Sequence, residues 1–77
     1  MKSEKELFEL AKMYVMLSDE LDKELSSFEF DEVKESMECI RKTLLKKCYD
    51  VNKFMYYQKL YREMSIGEYF DFIKTLQ

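Results

Sequence analysis

Proline is missing from this 77-residue chain, glycine occurs once, and histidine and tryptophan do not occur. Sandwiches, barrels and parallel sheets need turn residues at regular intervals, so the shortage of glycine and proline argues against them. The absence of histidine removes the side chain that titrates near neutral pH and the commonest metal ligand. A single glycine cannot build a loop that cradles phosphate. Two cysteines are all the thiols available. Zinc would therefore need carboxylates to complete a four-ligand set. Neither catalysis in its own right, nor a metal, nor a cofactor is expected. The N-terminal run Met1-Lys2-Ser3-Glu4-Lys5-Glu6 is charged, and the first apolar cluster, Met13 to Leu17, is too short for a signal-peptide core or a membrane span. The expected location is cytoplasmic, without membrane association.

What remains is rich in Glu, Lys, Leu and Met, all good helix formers. The spacing predicts an all-α, compact bundle of three or four helices over about 4–26, 31–49, 53–64 and 66–76, in one domain spanning 1–77. Ser3 with Glu6 forms a Ser-x-x-Glu capping box that opens the first helix. Leu7, Leu10, Tyr14, Leu17, Leu21 and Leu25 run down one side of it. Ser26 and Ser27 are expected to end that helix, Phe28 and Phe30 to plug the end of the bundle, and Asp31 to cap the second helix. Val33, Met37, Ile40, Leu44, Cys48, Val51 and Met55 then form a second stripe. Phe54, Tyr57, Tyr61 and Met64 form a third, turned from the second by about 125° if the helix were continuous. That mismatch favours a break at Asp50 to Asn52. Ser65 with Glu68 is another capping box and opens the last helix. Cys39 and Cys48, placed on one helix, point apart by more than a disulfide can span and are expected to be small, at least half-buried apolar residues.

Charge is divided unevenly. Residues 1–38 carry five Lys and twelve Asp or Glu, a balance of −7, and residues 39–77 carry eight Lys or Arg and four Asp or Glu, a balance of +4. Internal complementarity between neighbouring helices is one reading. Two oppositely charged binding faces are the other.

Eight of the twelve aromatic residues lie from Tyr49 onward. A small domain can hardly bury them all, and exposed Tyr beside Lys and Arg is the composition of interface hot spots. The leading candidate surface is therefore Tyr49, Lys53, Tyr56, Lys59 and Arg62, facing a larger protein partner. The expected role is a stoichiometric binding module, an inhibitor or an adaptor, and the composition suits a phage or mobile-element protein. The alternative is a homodimer through the apolar girdle of the first helix, with Phe8, Met13, Val15 and Met16 as its contacts. Nucleic-acid binding is disfavoured by the net charge of −3. The acidic first half could instead mimic a phosphate backbone.

Ser18-Asp19-Glu20-Leu21-Asp22 resembles the Ser-Gln-Glu-Leu-Asp motif of the small aspartyl-phosphate phosphatases that act on sporulation response regulators, with Asp19 in place of the motif's Gln. The resemblance covers five residues. It implies a helical hairpin whose Glu20 and Asp22, the residues matching the motif's acids, enter the regulator's active site.

Overall fold

A computed structural model describes residues 3–76. It is all-α and contains four helices: α1 (Glu4–Glu20), α2 (Ser27–Lys46), α3 (Val51–Glu63) and α4 (Ile66–Thr75). Each begins on a side-chain cap. Ser3 accepts from the Glu6 N–H at α1, and Asp50 accepts from the Asn52 and Lys53 N–H groups at α3. Ser26 with Glu29 and Ser65 with Glu68 form complete capping boxes at α2 and α4. These caps satisfy N–H groups that have no partner inside the helix.

The first two boundaries differ from the sequence expectation. α1 stops at Glu20, because the polar run Asp22-Lys23-Glu24 supplies no apolar face to extend it. α2 starts at Ser27 rather than after Asp31, because Ser26 and Glu29 make the same box as Ser65 and Glu68. Phe28 and Phe30 therefore sit in the first turn of α2, exposed, instead of plugging the bundle.

The break expected near Asp50 is present and lies slightly earlier. α2 ends in a Schellman turn: the Tyr49 N–H bonds the Leu44 carbonyl at 3.0 Å and the Cys48 N–H bonds the Leu45 carbonyl at 3.2 Å. Cys48 occupies the left-handed position of that turn with φ 57°, where glycine is the usual residue. Leu44 and Tyr49, the two residues whose apolar contact commonly accompanies such a turn, are both buried in the core. Cys39 and Cys48 lie at the surface rather than in the core, and they do not share one helix.

α1 is the hub, since its contacts with α3 and with α2 dominate the packing. Leu7, Phe8, Ala11 and Val15 of α1 are buried, together with Ile40 and Leu44 of α2, Tyr49 of the turn, and Phe54 and Tyr57 of α3. α4 lays Tyr69, Phe72, Ile73 and Leu76 against this core. Phe8 is the centre. Its ring lies 4.8 Å from that of Phe72, 5.4 Å from Tyr57, 5.9 Å from Tyr69 and 6.3 Å from Tyr61, centroid to centroid. The Cα trace measures 39 × 30 × 17 Å, so the molecule is a thin slab. A slab buries few residues, which explains why so many large apolar side chains remain outside.

Candidate functional site

The structure divides the five residues expected to form one outward surface. Tyr49 is buried at 8% exposure, because the left-handed Cys48 turns the chain inward. Its hydroxyl donates to Glu6 Oε1 at 2.9 Å and accepts from the Ser3 N–H at 3.2 Å. Lys53 is tied to Glu4 Oε1 at 2.9 Å, and Arg62 to Asp19 Oδ1 at 3.0 Å. Tyr56 and Lys59 are exposed. The expected surface thus loses Tyr49 to the core, while Lys53 and Arg62 stay exposed and are at the same time engaged by acids of α1.

The ion pairs make the charge asymmetry legible. Lys47–Glu6, Lys53–Glu4 and Arg62–Asp19 each join the basic second half to the acidic α1. Two of them form matching clamps at the start of α1. Lys47 and Tyr49 hold Glu6 from the α2 side, while Lys53 and Tyr57 hold Glu4 from α3, the Tyr57 hydroxyl donating to Glu4 Oε2 at 2.9 Å. The first-turn position of both carboxylates also suits the positive end of the helix.

The clamps set the direction of pH dependence. Hydrogen bonds from Lys53 and Tyr57 hold the Glu4 carboxyl below its usual range, and those from Lys47 and Tyr49 do the same for Glu6. Folded-state values below the unfolded ones contribute stability above about pH 4.3, and that contribution disappears as acid protonates the carboxylates. Lys47 and Lys53 are raised by their bonds to Glu6 and Glu4, and Tyr57 is raised first by burial and then by Glu4. Raised values contribute stability below about pH 10 that is lost as pH climbs through them. Thermal melts across pH should therefore show a plateau flanked by an acid and an alkaline decline. In Glu4→Gln the acid decline should be shallower, and an unchanged acid limb would show that the clamp does not contribute.

The girdle of α1 is likewise split. Phe8 and Val15 are buried because neighbours pack on two sides of the helix, so they are unavailable as dimer contacts. Met13 and Met16 remain exposed on the third side.

The surface that sequence reasoning missed lies between α2 and α3. Tyr14 of α1, Arg41, Leu44 and Leu45 of α2, and Val51, Phe54, Met55 and Gln58 of α3 line an open groove of about 480 Å³. Its upper walls are apolar and in water: Leu45 is 73% exposed, Met55 60% and Val51 51%. Tyr14 forms part of the lining, its hydroxyl accepting from Arg41 at 2.8 Å and its ring meeting Phe54 edge-on at 5.5 Å. The sequence signal was available. Val51 and Met55 continue the second apolar stripe of the sequence. The turn at Cys48 rotates them out of it.

The segment Ser18 to Asp22 closes α1. Asp19 pairs with Arg62, Glu20 with Lys23 at 3.0 Å, and Leu21 caps the helix. Among the described residues no group of three or more Cys, Asp or Glu is arranged to hold a metal ion, and no helix is long and apolar enough to cross a membrane. Comparison of the chain with family models, with curated proteins and with solved structures gives no match.

Proposed function

We propose that this chain is a stoichiometric protein-binding module of the cytoplasm, an inhibitor or adaptor that blocks or bridges a larger partner. The observation that carries the reading is the open α2/α3 groove, with three large apolar side chains held in water at its mouth. Exposed apolar walls cost solubility and mark interaction sites. A groove between two helices suits an amphipathic helix laid along it. Arg41 lies on its wall, with Lys42 and Lys59 on the adjoining outer faces of α2 and α3, so acidic flanks on the partner segment would fit. A phage or mobile-element setting agrees with the size and composition.

The test compares capture of interacting proteins by the wild-type chain and by the double variant Leu45→Glu with Met55→Glu. Both residues are exposed, so the variant should keep the wild-type circular dichroism and melting curve. Its affinity for the captured partner should fall by about tenfold or more, the size of a moderate hot-spot loss. Undiminished affinity would remove the groove from the interface. Undiminished affinity there combined with a loss in the Tyr56→Ala, Lys59→Ala variant would move the site to the outer face of α3.

A further inference from the structure

α4 is joined to the molecule differently from the other three helices. Several polar bonds tie α2, α3 and the turn between them to α1. Lys47 and Tyr49 hold Glu6, and Arg41 holds Tyr14. Lys53 and Tyr57 hold Glu4, and Arg62 holds Asp19. Among the described residues, α4 has one such tie. Lys12 Nζ donates to the Tyr69 hydroxyl at 3.1 Å and lies 4.5 Å from the centre of the same ring. No residue of α4 is fully buried. Tyr69, Phe72 and Ile73, with Leu76 at the cap, lie half-buried against the core, while Ile66 and Phe70 stay exposed along one flank. A helix of ten residues is marginal on its own in water, so α4 depends on those few contacts.

The joint lets the helix move as a unit. α4 carries its whole cap with it: the Ser65 hydroxyl accepts from the Glu68 N–H, and the Glu68 carboxylate accepts from the Ser65 N–H. Met64 and Ser65 connect α3 to α4 in extended backbone, with φ −92° and ψ 148° at Met64 and φ −80° and ψ 170° at Ser65. Rotation about these two residues swings α4 aside without breaking a turn of either helix. We propose that α4 is a lid, which opens as one unit from the Phe8 side of the core while α1, α2 and α3 stay folded. Opening separates the Phe72 and Tyr69 rings from Phe8 and breaks the bond to Lys12. Phe8 keeps its edge contacts with Tyr57 and Tyr61 of α3. The clamps on Glu4 and Glu6 do not pass through α4, so the three-helix core retains its polar ties. The open state presents Phe8, Tyr57 and Tyr61 as one uncovered aromatic face. Segments with few buried contacts are the ones that open below the global unfolding free energy.

Native-state hydrogen exchange on the full chain tests the lid, read amide by amide by NMR in rising, sub-denaturing urea. The amides of residues 70–75 should share one protection factor, at least about tenfold below those in the middle of α1 and α2. Their exchange should respond little to urea, because lid opening exposes less surface than global unfolding. Tyr69→Phe keeps the ring and removes only the acceptor of the Lys12 bond, and it should lower the protection of α4 severalfold. Ile40→Val weakens the buried contact of α2 with the core, away from α4. It destabilises the closed and open states alike, so it should lower protection in α1 and α2 severalfold and leave α4 unchanged. Three results overturn the proposal. The first is α4 amides as protected as those of α1. The second is a steady gradient of protection from residue 75 back to residue 70, which is fraying from the chain end. The third is an Ile40→Val variant in which α4 loses protection by the same factor as α1 and α2, which is a single cooperative transition.

Discussion

Replacing Phe8 with Ala is expected to unfold the domain. The side chain is fully buried and meets four aromatic rings, two from α3 and two from α4. Removing a buried Phe costs about 3–5 kcal/mol, because the transfer term is lost and the space does not close. Domains below about 80 residues rarely have more than ~3–5 kcal/mol to lose. Collapse into the cavity is difficult here, since the rings around Phe8 come from two different helices that would have to move together. Urea unfolding followed by far-UV circular dichroism should show the variant largely unfolded at room temperature. Phe8→Leu, which keeps most of the volume, should remain folded with a lower midpoint. A cooperative, near-wild-type melt for Phe8→Ala would mean that α3 and α4 are held by something other than this cluster.

The second large effect separates two adjacent leucines. Leu44→Ala should cost about 2–5 kcal/mol, the range for truncating a buried Leu, whereas Leu45→Ala should change stability by less than about 0.5 kcal/mol. Leu44 is buried against the core, and its carbonyl receives the closing bond of the Schellman turn. Truncation there also removes the apolar contact that steers Tyr49 inward, and with Tyr49 the clamp on Glu6. Leu45 points the other way, into water at the groove mouth. Parallel denaturant titrations of the two variants check the contrast. Equal losses would mean that Leu45 is covered in solution, and a concentration-dependent wild-type midpoint that becomes concentration-independent in Leu45→Ala would reveal that directly.

The all-α bundle of three or four helices and a break close to Asp50 were legible because they rest on local chemistry. Ser65 with Glu68, Asp50 ahead of α3, and the rotation between the stripes of Leu44 and Phe54 all act within a few residues. What escaped the sequence was direction. Tyr49 reads as an outward residue when α2 is extended to it. One left-handed residue, Cys48, reverses that, and cysteine carries no signal for a left-handed backbone. Lys53 and Arg62 read as a basic surface because their acidic partners are 49 and 43 positions away in the chain, on a different helix. Pairing of that kind depends on tertiary packing, which periodicity does not encode. The start of α2 is a different case. Ser26 and Glu29 carry the same pattern as Ser65 and Glu68, but the apolar stripe running on to Leu21 and Leu25 reads as more of the preceding helix, with Ser26 at its end.

The hub position of α1 also has a bearing on the order of events during synthesis. α1 precedes both of its main partners in the chain, and the bonds that tie down its first turn come from Lys47, Tyr49, Lys53 and Tyr57, 41 to 53 residues downstream. Closing such long loops delays their contacts. A nascent chain therefore carries Leu7, Phe8 and Val15 unprotected until α3 has left the ribosome. In that interval the girdle that is sealed in the finished molecule is open to chaperones.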